Sequence, residues 1–196
     1  KGNQLDDYIN KVSGPINEIR AIDIFLQVLD GIHHIHKLNI VHRDIKPSNI
    51  IIDENDKIKL LDFGIAKDYS NDPNLTVVGQ SVGGTPMYMS PEQINGEVID
   101  SRSDIYSLGL TLYYMLSAKS PFSESNISGI LAAQLFKTPI PIIEQNSQLA
   151  SCPALNWIID RATEKKPENR FHSILQMKQA LEIALDDGRA SLKLVE

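Results

Sequence analysis

Ile40-Val41-His42-Arg43-Asp44-Ile45-Lys46-Pro47-Ser48-Asn49 leads into Ile50-Ile51-Ile52, the polar stretch Asp53-Glu54-Asn55-Asp56, Lys57-Ile58-Lys59-Leu60-Leu61 and then Asp62-Phe63-Gly64. Two β-branched or alternating runs around a polar turn predict a β-hairpin. A hairpin of this kind carries one loop at each end on rigid strands. The first loop presents Asp44, Lys46 and Asn49. The second presents Asp62 beside Gly64, a residue whose backbone can adopt angles closed to others and so lets that loop swing.

The spacing His-Arg-Asp-x-Lys-x-x-Asn, followed thirteen residues later by Asp-Phe-Gly, fixes eight identities at set offsets. It resembles the catalytic loop and magnesium loop of eukaryotic-like protein kinases. Phosphoryl transfer leaves a protein little covalent work: it positions a hydroxyl, holds Mg²⁺ and neutralises charge on the moving group. The resemblance implies that Asp44 accepts the substrate hydroxyl's proton and that Lys46 reaches the γ-phosphate as a point charge. It implies Asn49 and Asp62 as Mg²⁺ ligands, since Mg²⁺ prefers a few side-chain oxygens together with phosphates. Ser48, next to Asn49, falls with the nucleotide-binding residues. Ile51 matches the apolar residue that floors the adenine, and its alternative role is that of a core isoleucine. His42, Phe63 and Gly64 complete the two loops as structural members. The implied cofactors are ATP and Mg²⁺, and the implied partners are proteins carrying Ser or Thr.

With 196 residues, 42% hydrophobic and 22% charged, the chain is long enough for one domain or one large lobe with a real core. A net charge of −6 argues against a nucleic-acid surface. Its one cysteine, Cys152, cannot form an internal disulfide, which fits a reducing compartment. No apolar run approaches the roughly eighteen residues of a membrane span, and no signal peptide is visible. The expected location is the cytoplasm, and a membrane anchor outside these residues is compatible with it.

Working outward, residues 1–16 read as a connector and a short helix, with Leu5, Tyr8, Ile9 and Val12 at helical spacing and Gly14-Pro15 as the stop. By resemblance Gln4 lies near the ATP ribose, although a plain helix-start residue fits it better. Asn17 is an N-cap candidate for a helix to about Lys37, whose apolar face is Ile22, Phe25, Leu26, Leu29, Ile32 and His36. His33, His34 and His36 lack the further ligands a metal site needs and read as polar residues suited to a helix C-terminus. Residues 65–92 carry dense turn residues and no periodicity, which makes them functional or disordered. They resemble a kinase activation segment, closing at Thr85 and at Ser90-Pro91-Glu92, with Ser90 where Ala is usual. Thr85 takes the place that bonds the catalytic Asp and Lys. Arg43 and Lys67 match cations that gather around a phosphate on that segment, with Thr76 first and Ser81 second as its site.

Residues 101–117 predict a helix buried nearly all round, since charges are scarce from Ile105 to Ala118. The resemblance makes Asp104 the brace that holds the His-Arg-Asp backbone. Further helices are expected at about 127–137, 153–164 and 173–185, with Trp157 off the apolar stripe and Asp187-Gly188 as the last stop. By resemblance Glu92 pairs with Arg170 inside the fold.

The fold class expected is α+β, mostly α: a kinase C-terminal lobe over 1–185, a helical bundle with a small catalytic hairpin, then a tail or linker at 186–196. Lys46 points to the serine/threonine branch, and the wording around Ser90-Pro91-Glu92-Gln93 looks like its bacterial members. The sequence contains no Gly-x-Gly-x-x-Gly loop and no Val-Ala-Ile-Lys strand, the parts that cover ATP. The expectation is therefore a lobe of a longer kinase, inactive by itself. Two alternatives are a pseudokinase or binding scaffold, opposed by the presence of Asp44, Lys46, Asn49 and Asp62, and a small-molecule phosphotransferase, opposed by the long activation-like segment.

Overall fold

The computed structural model describes residues 2–61 and 86–193. The chain enters as a short strand β1 (Gly2–Gln4) and continues through helix α1 (Leu5–Tyr8) and a π-helical turn at Ile9–Ser13. Helix α2 (Glu18–Lys37) follows, capped by Asn17, whose Oδ1 accepts from the Ile19 N–H at 3.1 Å. The hairpin is β2 (Ile50–Asp53) and β3 (Ile58–Leu60). After it come α3 (Pro91–Asn95), α4 (Ser101–Ser117), α5 (Ile127–Phe136), α6 (Ile142–Gln145), α7 (Pro153–Ala162) and α8 (Ile174–Lys193). None of the described helices is long and apolar enough to cross a membrane. Asp62, Phe63, Gly64, Lys67, Thr76, Ser81 and Thr85 lie outside the described residues.

The sheet has three antiparallel strands in the order β1-β2-β3, not the two of the hairpin alone. The stretch read as a connector is thus partly a strand. Its backbone can approach β2 because residue 2 has no side chain: a Cβ there would fall 2.6 Å from Ile51 Cγ2 and 2.8 Å from the Ile52 carbonyl oxygen. Ile50 and Ile52 point into the core while Ile51 faces the other side, half-buried. The turn is fastened from both sides. Asp53 Oδ1 accepts from Asn55 and Lys57 N–H groups, and Arg20 reaches across from α2 to both Asp56 oxygens at 2.9 and 2.7 Å.

α4 is the axis of the fold. Its residues from Ser103 to Tyr113 are all buried, as the scarcity of charge predicts. α7 packs on it so closely that a Cβ on Gly109 would lie 2.8 Å from Ala162 Cβ and 2.9 Å from Thr163 Cγ2. The hydroxyls of Ser107, Thr111 and Ser117 bond carbonyls one turn back, so burying them leaves no donor stranded. α2 lies between α4 and α8, and its buried face is wider than one stripe, adding Ile24, Val28 and Ile35 to the expected set while Leu26 stays partly buried. On α7, Leu155, Ile158, Ile159 and Ala162 face inward, and Trp157 lies outside, edge-on to Phe171 at 5.7 Å.

Two other expectations are corrected. Val12 is 66% exposed, because the π turn widens the pitch and rotates it off the Leu5–Ile9 face. α8 runs to Lys193, past Asp187-Gly188 and through what was expected to be a tail. One interior glycine costs a helix only about 1 kcal/mol relative to alanine, which good helix formers on both sides can absorb.

The polar centre of the fold is Arg170, fully buried and reaching Glu92 across 78 positions of sequence. Nη1 and Nη2 donate to the two Glu92 oxygens at 2.7 and 2.8 Å. The other bonds go to the carbonyls of Arg102, Lys165 and Glu164, so all five guanidinium N–H donors are used. Tyr106 lies under the guanidinium with its centroid 4.9 Å away. Burial pushes the Glu92 carboxyl up, but the bond and charge of Arg170, with Ser103, outweigh it and hold the carboxyl below its ordinary range. Removing one member of such a pair strands the other charge. Arg170→Ala is expected to lose about 3–5 kcal/mol in urea denaturation; a midpoint equal to wild type would show that the pair carries no stability.

Candidate active site

Residues 40–49 connect the C-terminus of α2 to β2, with a 3₁₀ turn at Pro47–Asn49 that holds Ser48, partly exposed. The loop has its own internal bonds. Asn49 Nδ2 donates to the Asp44 carbonyl at 2.8 Å and to Asp44 Oδ2 at 3.1 Å. Lys46 Nζ lies 3.1 Å from the same Oδ2. Of the four expected catalytic and metal-binding residues Asp44, Lys46, Asn49 and Asp62, the structure therefore brings Lys46 and Asn49 onto one carboxylate oxygen of Asp44; Thr85, also expected to be catalytic, lies outside the described residues. Asp62, the fourth, is outside the described residues.

The loop's position is dictated from α4. Asp104, 1% exposed, accepts through Oδ2 from the His42 N–H and through Oδ1 from the Arg43 N–H, both at 2.9 Å. Its Oδ2 also meets His36 Nε2 at 2.7 Å. Charge-assisted bonds of this kind are about twice as strong as neutral ones. Arg43 itself has φ +66°, a left-handed conformation that a non-glycine residue adopts only when held there. His42 is buried beneath the loop and bonds the backbone of Leu61, next to Asp62, so it connects the two ends of the hairpin.

Asn49 fits the magnesium role chemically. Its amide nitrogen is committed to Asp44, which leaves the carbonyl oxygen, a hard neutral donor, for a cation. Among the described residues no group of three or more His, Cys, Asp or Glu side chains is placed to hold a metal ion, and of the three helix-end histidines His36 instead meets Asp104. A cation at Asn49 would depend on Asp62 and on phosphate oxygens, as Mg²⁺ sites commonly do. Ile51 and Gln4, the two positions associated with the nucleoside, sit opposite each other across the β1–β2 ladder. Gln4 is also the residue that starts α1, with no side-chain capping bond.

Two functional neighbours escaped the sequence reading. His36, placed by sequence on the apolar face of α2 near its end, lies there and is a partner of Asp104, which its spacing did not reveal. Gln93, 2% exposed in the first turn of α3, donates from Nε2 to the Arg43 carbonyl at 2.8 Å. The signal for it was the spacing Ser90-x-x-Gln93, a capping-box pattern whose glutamine also has a donor to offer.

A family model described as the protein kinase domain matches residues 1–182. Among curated proteins, the serine/threonine-protein kinase PknB of Mycolicibacterium smegmatis is 34% identical over 96% of this chain and 30% of its own length. The serine/threonine-protein kinase pkn3 of Myxococcus xanthus is 39% identical over 89% of this chain and 33% of its own length. The chain thus spans about a third of the length of these relatives. Among solved structures, the PknI kinase domain of Mycobacterium tuberculosis superposes with a TM-score of 0.68 at 21% identity, over 94% of this chain and 62% of that one. That likeness establishes the fold.

Burial holds His42 below the ordinary histidine range, against the opposing pull of the Asp104 charge. The unfolded chain therefore binds a proton near pH 6.5 that the folded chain refuses. Stability must fall as the pH drops below about 6.5, by at most about 1.4 kcal/mol per unit for this one group. Urea denaturation at pH 7 and pH 5 should show a smaller loss in His42→Leu than in wild type. Equal losses would mean His42 protonates freely in the fold.

Proposed function

The chain belongs to the protein kinase domain family, and on that premise we propose that it is the C-terminal catalytic lobe of an ATP-dependent serine/threonine protein kinase. The observation that carries the reading is the convergence of Lys46 and Asn49 on Asp44, in a loop held from a buried helix. Asp44 accepts the proton of a substrate serine or threonine hydroxyl as its oxygen attacks the γ-phosphorus of ATP, while the bond from that phosphorus to the β–γ bridging oxygen breaks and ADP leaves. Lys46 provides a positive charge beside that carboxylate for the transferred group. Asn49 keeps the carboxylate oriented and, with Asp62, would hold Mg²⁺, whose chemistry when bound is to neutralise the phosphates. Ser48 and Ile51 line the nucleotide side of the same loop and strand.

ATP and proteins bearing Ser or Thr are the proposed ligands, with no nucleic-acid partner. The chain's span of 62% of a related kinase domain supports a lobe that needs a phosphate-covering half from beyond these residues for turnover. Asp44→Asn in the full-length kinase should lower turnover by roughly 10²–10⁴, the size of a general-base contribution, with nucleotide affinity little changed. Near-normal phosphorylation of a generic protein substrate by this variant would refute the assignment.

Control by phosphorylation is part of the proposal. Arg43 and Lys67 would gather around a phosphate on Thr76, with Ser81 second. A phosphate brings about −1.5 to −2 charges and several acceptors, enough to order a segment across two cations. Mass spectrometry after incubation with Mg²⁺-ATP should find phosphate on one of them, and a Thr76→Ala/Ser81→Ala variant should lose activity. An unmodified segment in a fully active variant would rule this control out.

A further inference from the structure

Arg43 is held from two sides, and only one of them belongs to the brace already described. Asp104 takes the His42 and Arg43 N–H groups. Fifty positions later in the sequence, Gln93 donates to the Arg43 carbonyl, the acceptor in the peptide group that leads directly into Asp44. The same side chain is bound at its other end: Oε1 accepts from Ser90 N–H at 3.0 Å and from Ser90 Oγ at 3.1 Å, where Ser90 is the fully buried N-cap of α3. With its oxygen fixed by Ser90, the amide has one orientation, and its nitrogen points at the loop.

We propose that Gln93 is a positioning residue for Asp44, a strut that ties the start of α3 to the carbonyl of the left-handed Arg43 and so completes the clamp Asp104 begins. The inference rests on the kinase reading of Asp44. In this role Gln93 touches no substrate; it sets the direction in which the Asp44 carboxylate leaves the loop. A rival, purely local role is that Gln93 caps α3 and nothing more. The two roles use different atoms. The oxygen does the capping, and the nitrogen holds Arg43.

That division gives a clean test in the full-length kinase. Gln93→Glu keeps an acceptor for Ser90, glutamate being equally at home three residues after an N-cap, and removes only the donor to Arg43. Gln93→Met, uncharged and of similar length, lacks both that donor and the acceptor for Ser90; if the added charge of Gln93→Glu prevents folding, it carries the test through comparison with Ser90→Ala, which weakens the cap alone. Ser90→Ala removes one capping donor and leaves the strut. Each is assayed well below its melting temperature, so that the rate is per folded molecule. Either Gln93 variant should lower kcat by roughly tenfold or more, since displacements of about 1 Å at a reacting group cost up to about 10²-fold, while KM for ATP moves much less. Ser90→Ala should retain most of its kcat. Amide hydrogen exchange in residues 40–46 should quicken in the Gln93 variants and stay unchanged in α4. Wild-type kcat and unchanged loop exchange in both Gln93 variants would overturn the inference, as would a loss in Ser90→Ala equal to theirs. Asp44→Asn measured alongside separates the two claims. If it alone is fully active, the role of Asp44 as base fails, and the exchange of residues 40–46, which needs no turnover, still decides whether Gln93 holds the loop.

Discussion

Asp104 is a carboxylate with 1% of its surface exposed, near the start of a helix whose neighbouring residues are buried as well. A charge in that position needs donors around it or it is strongly destabilising. The loop supplies two backbone N–H groups and α2 supplies His36. The dependence runs both ways: the carboxylate needs the loop, and the loop is held in its left-handed conformation at Arg43 by that carboxylate together with Gln93. Because α4 is packed by both α2 and α7 and buried from Ser103 to Tyr113, the anchor sits in the core. The site is therefore positioned by the core, not by the surface loop that bears it, which is how a catalytic group can be held on a loop to the tolerance chemistry demands.

The ionic contacts of the chain differ widely in worth. Lys11 with Asp7 is an exposed helix pair, 70% and 51% accessible, and pairs of that kind are screened by solvent and stabilise little. Arg170 with Glu92 is bidentate, buried, and has every remaining guanidinium donor assigned. Its contribution is largely one of specification. It joins the first turn of α3 to the turn before α8, so these two distant parts of the chain adopt one relative arrangement. Lys178, which meets Asp30 between α8 and α2, does the same job at the surface with far less energy.

Much of this was readable from residue types and spacing. The hairpin followed from β-branched runs around a polar turn, α2 from its cap and its period, and the burial of α4 from the absence of charge. The site set followed from the resemblance of Asp44, Lys46 and Asn49, at their fixed offsets, to the kinase catalytic loop. What was not readable depends on distant partners. β1 has three residues and no period, and becomes a strand only because Gly2 lets β2 approach. The end of α8 depends on a balance of about 1 kcal/mol at Gly188, which a stop signal overstates. His36 and Gln93 look like ordinary polar residues until the fold places a carboxylate beside one and a carbonyl beside the other.

The left-handed Arg43 has a kinetic consequence. Between φ +66° and the ordinary negative region lies backbone space closed by steric overlap, so an L-residue cannot drift from one to the other by small steps. If the bonds around it let go, relaxation means a rotation of about 130° in φ toward the ordinary helical value, which redirects the chain just before Asp44. The loop is thus a two-position torsional latch: it occupies the competent basin or leaves it altogether, and intermediate, slightly misaligned geometries are not stable resting places.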